Sequence, residues 1–340
     1  MANRPFIIAL LLLLIFFCSC DNSGKIKKEK KGQKIVYRLK WLFNASTAGD
    51  LWAKEKGIFQ KKGLNVILKE GGAEQDAIEE IELGRASFGV ASSDQVLRAV
   101  SKGADVLVLA QIFQINPLQW IFIKERTKIN KEHPAEDLKR LTIGITYGGN
   151  DEAIFFALAR RLGLDHEKLN IYAITYDYTP FWQGKVNLWP CYRNTQGIFL
   201  SKKIQAMGEE PDFFDPSKYG INFVANSLIT SKKFAKAHPK LIEKFKDAVL
   251  EGWKQALNKK NINELAHMLQ KYDKALPIET IKEQIKETRK LVAPYGLEQI
   301  GVIQRNAWLE TEKEMYRQRL IKKHVNIDTI LQTKGEDKWQ

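Results

Sequence analysis

The chain has 340 residues, a formal net charge of +14 at neutral pH and three cysteines. Its length is enough for two cores of ordinary size once an N-terminal leader is set aside. The only cysteine beyond the leader is Cys191, which excludes an internal disulfide and a structural metal built on thiols.

The chain opens with a leader. Arg4 supplies a positive charge, 6–17 is an unbroken apolar run, and Ser19 is the small residue before Cys20. An apolar run of roughly a dozen residues ending at a small residue reads as a signal peptide, since a membrane span needs about 20. Cys18-Ser19-Cys20 fits a bacterial lipobox, with cleavage before Cys20 and a diacylglyceryl thioether on its sulfur; Phe17 stands where leucine is usual. The alternative is an uncleaved anchor, and either places the body outside the cytoplasmic membrane. Asp21 is the residue that favours retention at the inner membrane where an outer one exists. Residues 21–34 carry a dense lysine run with little apolar content and read as a flexible tether near anionic headgroups. The remaining lysines are spread along the chain, and no nucleic-acid partner is expected of an exported protein despite the charge.

From residue 34 strands and helices alternate. A strand over 35–43 leads through Thr47 as a cap to a helix over 48–62 that stops at Gly63. Strand 64–69, helix 75–83, strand 86–91, a helix capped by Ser92 or Ser93 and running to Ser101, and strand 106–113 follow. This order predicts a largely parallel sheet flanked by helices. A second α/β unit begins near residue 124, with strand 141–146, loop 147–150, helix 151–162 and strands over 169–176 and 185–192. A strand over 223–229 precedes helices over 241–258, 262–272, 278–291 and 304–321, each with apolar residues at 3.6-residue spacing. The expectation is a first lobe made of 35–120 and 222–340, with a second lobe, 121–221, inserted in it.

Open α/β sheets bind ligands at the carboxyl ends of their strands, so the junctions at 44–50, 91–95, 147–151 and 192–196 are expected to face one cleft. No histidine lies at them, and HExxH, CxxC, GxSxG and GxxxxGK[ST] patterns are absent from the sequence. Asp50, Asp94 and Asp151 each sit in a first helical turn, where the macrodipole favours a carboxylate whatever the function. Cys191 reads as filler beside a strand rather than a nucleophile. The junctions offer binding chemistry instead. Thr47, Ser92, Ser93, Gly148, Gly149 and Asn150 bring amide and hydroxyl donors to helix starts. Trp41, Tyr147, Trp189 and Tyr192 bring rings that can stack on a flat ligand. Asn44 and Gln196 complete the predicted ligand-binding set, with no catalytic residue, metal or cofactor.

The segments 47–72 (TAGDLWAKEKGIFQKKGLNVILKEGG), 82–118, 136–145, 215–257 and 301–316 resemble, in order, the thiamine-pyrimidine-precursor-binding family of ABC-transporter solute-binding proteins. That superfamily also holds binding proteins for alkanesulfonates, taurine and nitrate, and the fungal enzyme that builds the thiamine pyrimidine. The resemblance implies the type II periplasmic-binding-protein fold, α/β with two lobes closing on a cleft and a helical C-terminal region. It also implies a small-molecule ligand, delivery to ABC permease subunits, and a monomer held at the membrane by its lipid. Relatives often have an Asn-Glu-Pro-like stretch after the tyrosine where this chain reads Tyr192-Arg193-Asn194-Thr195-Gln196, so an amide replaces a carboxylate. Many carry a histidine near 44–47, absent here. These departures leave a flavin or another pyrimidine open as ligand, with a sulfonate- or nitrate-type anion as the alternative. The fungal enzyme's histidine and cysteine-rich iron site are missing, so the enzyme reading is set aside. A sensory module acting through a separate signalling protein is the remaining class.

Overall fold

The computed structural model describes residues 34–72, 75–175 and 177–332. The signal peptide, the lipidation position Cys20, most of the tether and Tyr176 lie outside them.

The first strand, β1 (Lys34–Arg38), pairs in parallel with β2 (Asn65–Lys69) and β3 (Phe88–Ala91). It is shorter than expected, because after Leu39 the backbone turns to run against the 70–72 loop. Gly71 permits that approach: a Cβ there would lie 2.1 Å from the Leu39 carbonyl oxygen. Between β1 and β2 the expected single helix is two, α1 (Ala48–Glu55) and α2 (Ile58–Lys61). Gly57, at φ 65°, breaks it in the left-handed conformation that glycine adopts at no steric cost. The apolar pattern runs on across the break, and so hides it. Then come α3 (Ala77–Glu82), α4 (Ser93–Ser101) and β4 (Leu107–Gln111).

β4 does not sit beside β3. The sheet order is β2-β1-β3-β10-β4, and β10 (Ser227–Thr230) is antiparallel to both neighbours. The sheet is therefore largely parallel, as expected, with β1 to β4 running the same way, and the one antiparallel strand is β10, because the chain leaves the sheet after β4 and returns by one strand into the middle. All five residues of β4 are buried, as befits a strand covered on both faces.

Next comes β5 (Leu118–Ile123), a strand absent from the sequence-based expectation that straddles the expected 120/121 boundary of the second lobe. It is central in an antiparallel sheet, β8-β5-β9, with β8 (Trp189–Tyr192) and β9 (Pro211–Phe214). A parallel pair, β6 (Thr142–Ile145) and β7 (Asn170–Ala173), adjoins β8 through Gly144 and Leu188. Helices α5 (Ala135–Arg140), α6 (Asn150–Arg161), α7 (Thr179–Trp182) and α8 (Gln196–Ala206) connect these strands.

After β10 the chain is helical: α9 (Lys232–Ala237), α10 (Pro239–Ala256), α11 (Ile262–Gln270), α12 (Ile278–Val292) and α13 (Arg305–Arg317). Ile242, Phe245, Val249, Gly252, Trp253 and Ala256 form one buried stripe of α10 at helical spacing. This stripe covers α1 and the sheet, with Phe245 stacked on Phe88 and edge-on to Tyr37. Glycines let α1 and α10 touch: a Cβ on Gly49 would lie 2.1 Å from the Trp253 ring, and one on Gly252 would lie 2.5 Å from the Gly49 oxygen. No helix among the described residues is long and apolar enough to cross a membrane.

Candidate ligand site

A cavity of about 240 Å³ opens between the lobes. It lies where β1, β3 and β10 of the first sheet meet the ends of β6 and β8 and the start of α6. Of the predicted residues, Trp41, Asn44, Thr47, Tyr147, Gly148, Gly149, Asn150, Tyr192 and Gln196 line it. Three do not. The Ser92 hydroxyl donates to Gln95 Oε1 at 3.0 Å in a capping box, and it is Gln95, one turn on, that reaches the cavity. Ser93 donates to the Val224 carbonyl at 2.8 Å and is fully buried. Trp189, 2% exposed, packs in the second lobe's core with its ring centroid 5.4 Å from that of Tyr178. The reason is strand parity. Trp189 and Tyr192 are an odd number of residues apart on β8, so they face opposite sides of the sheet.

Tyr192 is a hydrogen-bonding hub at the cavity. Its hydroxyl accepts from Lys40 Nζ at 2.9 Å and from Asn150 Nδ2 at 3.4 Å, and donates to Asn226 Oδ1 at 3.4 Å. Lys40 and Asn226 belong to the first lobe, Asn150 and Tyr192 to the second. Beside the cavity, Asn194 Nδ2 donates to Thr288 Oγ1 at 2.8 Å and to Ser46 Oγ at 3.0 Å. Arg193 pairs with Glu287 at 3.2 Å. Gln196 spends its amide oxygen on the Tyr192 N–H (3.3 Å) and the Thr195 hydroxyl (2.6 Å), so what it offers the cavity is a donor. Tyr192→Phe is expected to loosen closure, read as a larger radius of gyration by small-angle X-ray scattering, with stability within about 1 kcal/mol of wild type. An unchanged radius would remove Tyr192 from the latch.

The expected ligand set contains no carboxylate, yet Asp50, Asp76 and Asp151 line the cavity, with Lys40 as the basic residue among those described. Asp76 is used as the cap of α3, accepting from the Ile78 N–H at 2.6 Å. Asp151 accepts from the Thr146 N–H at 2.6 Å, and burial pushes its carboxyl up to about 6. Asp50, 3% exposed, accepts through Oδ1 from the Tyr37 hydroxyl at 2.8 Å and from Trp253 Nε1 at 3.3 Å. Burial pushes its carboxyl up to about 7 despite those two donors. A signal for Asp50 exists in the sequence: it lies three residues after the cap position Thr47, inside the first of the family-like segments, where its service to the helix dipole masks any other role. Cys191 is buried and its thiol is pushed up to about 12 by burial, which suits filler rather than a nucleophile. Among the described residues no group of three or more His, Cys, Asp and Glu is placed to hold a metal ion.

Two α/β lobes around a cavity lined by apolar, aromatic and polar side chains are the type II periplasmic-binding-protein architecture. The aliphatic sulphonate binding protein SsuA of Escherichia coli has this fold, matching with a TM-score of 0.68 at 16% identity over 87% of this chain and 96% of that one. The chain belongs to the NMT1/THI5-like family, whose sequence pattern matches residues 44–261. It is similar to the formylaminopyrimidine-binding protein of Halalkalibacterium halodurans, 23% identical over 253 residues, 73% of either chain. It is also similar to a putative thiamine biosynthesis protein of Haemophilus influenzae, 20% identical over 203 residues, 59% of this chain and 62% of that one.

Proposed function

We propose that this protein is the solute-binding component of an ABC importer and captures a small, flat, nitrogen-bearing heteroaromatic of the thiamine-pyrimidine kind. The observation that carries this reading is the charge of the cavity wall. Asp50 and Asp151 face a space that has Lys40 as its basic residue, and Lys40 is already engaged by Tyr192. Desolvated carboxylates repel a sulfonate or nitrate and welcome N–H donors or a protonated ring. Trp41, Tyr147 and Tyr192 supply faces for stacking, each worth about 1 kcal/mol. The cavity's 240 Å³ suits a single ring with short substituents rather than a flavin. The name of the Halalkalibacterium relative points the same way. In this reading the protein works as a monomer, tethered through a lipid on Cys20 to the outer face of the cytoplasmic membrane, and hands its ligand to permease subunits by lobe opening.

Thermal unfolding with added 4-amino-5-hydroxymethyl-2-methylpyrimidine or taurine tests it. The aminopyrimidine is expected to raise the midpoint, since ligand at a hundred times Kd adds about 2.7 kcal/mol. Taurine is expected to do nothing. A shift with taurine alone would replace this reading by the anion one.

A further inference from the structure

Asp50 is a costly residue where it stands. It is buried on a helix packed against α10, and an apolar side chain there would relieve its desolvation. The sheet and α10 hold it in one orientation, because the Tyr37 hydroxyl and the Trp253 indole N–H both donate to Oδ1. An oxygen accepting two hydrogen bonds is a poor site for a proton. Oδ2, which receives no hydrogen bond from a described side chain, is therefore where a proton would reside.

We propose that Asp50 is the specificity-determining residue of the cavity, holding a basic ring nitrogen of the ligand against Oδ2 with one proton shared between them. This rests on the heteroaromatic reading above and narrows it to rings with an unsubstituted pyridine-type nitrogen. The proton comes from solvent when free protein and neutral ligand combine, so binding takes one up. Burial raises the Asp50 carboxyl to about 7, near the basicity of an aminopyrimidine ring, and matched partners share a proton most evenly. The other groups facing this space are accounted for. Tyr37 is held protonated by burial, and Trp253 from α10 does not ionise. Asp76 is committed to α3 and Lys40 to Tyr192. Around the outer side of α1, Lys56, Lys62 and Glu55 are engaged with Glu264, Glu251 and Tyr272. Asp151 is the one competitor, and its Oδ2 is taken by the Thr146 amide.

Calorimetric titration of the full-length protein with 4-amino-5-hydroxymethyl-2-methylpyrimidine, in buffers of different ionisation enthalpy, reads the proton directly. Wild type is expected to take up close to one proton at pH 8 and to lose affinity about tenfold per pH unit above that. Asp50→Asn keeps the shape and a donor toward the ring, so it is expected to bind with no uptake and a flat pH profile. Asp50→Leu, which leaves nothing for the ring nitrogen, is expected to weaken binding about tenfold to a hundredfold. Wild-type binding without uptake overturns the proposal and leaves the heteroaromatic reading standing. Uptake that survives Asp50→Asn but vanishes in Asp151→Asn overturns it in favour of Asp151. No binding by wild type, with taurine bound instead, removes both readings.

Discussion

Gly49→Ala is expected to lower the unfolding free energy by about 2–3 kcal/mol, although alanine is the better helix former by up to about 1 kcal/mol. The new methyl group would lie 2.1 Å from Cγ and 2.2 Å from Cδ2 of Trp253. That indole is fully buried, sits edge-on to Phe113, and donates to Asp50. It has no empty space to enter, so either α10 moves off α1 or the ring leaves its rotamer. Either movement breaks the Trp253–Asp50 hydrogen bond, worth about 1 kcal/mol more. Chemical denaturation measures the loss, and the thermal midpoint is expected to fall by about 3–5 °C for a body of this size. Gly252→Ala, whose methyl would meet Ala53 Cβ at 2.6 Å, is expected to do the same. The double variant is expected to cost less than the sum, because one wedge already parts the helices. Wild-type stability in Gly49→Ala would mean that this interface yields freely.

The second large effect concerns pH in the absence of ligand. The Asp50 carboxyl is raised by burial from 3.8 to about 7, and Asp151 from 3.8 to about 6. Between the unfolded and folded values the native chain binds more protons than the unfolded one, so stability falls as pH rises. The contribution of these two groups is complete below about pH 4 and is gone above about pH 7. Each tenfold change in proton affinity is worth about 1.4 kcal/mol, so Asp50 alone contributes on the order of 4 kcal/mol across that window. Asp50→Asn cannot ionise. Its unfolding free energy relative to wild type is expected to climb by about 3 kcal/mol from pH 5 to pH 8, measured by urea denaturation at each pH. A difference that stays constant with pH would show that Asp50 is ionised at little cost.

The order β1 to β4 and the helical finish are legible in the sequence because each element carries its own periodicity. What is not legible depends on partners distant along the chain. Nothing local to Ser227–Thr230 says that β10 enters between β3 and β4. Leu118–Ile123 is apolar almost throughout because it is central in its sheet, so it shows no alternation to announce a strand. In the site, Asn44 and Gly149 at cap positions and Asn150 in the first turn of α6 follow from the chemistry of helix starts. Pairing Trp189 with Tyr192 by their three-residue spacing misplaces the tryptophan, because that spacing puts the two on opposite sides of a strand. Asp50 is visible in the sequence but explained there by the helix dipole, since a carboxylate satisfying a helix start and one facing a ligand are identical until the fold shows what stands opposite.

The placement of β10 also bears on how the molecule is made. β3 and β4 are buried along their whole length, and each uses one edge to pair with β10. Until residue 227 has been synthesised, both edges are unpaired and apolar, while every strand of the second lobe is already available to pair. The inserted lobe can therefore finish before the lobe that encloses it. In the interval the N-terminal strands present a template for the edge-to-edge association that unpaired strands invite.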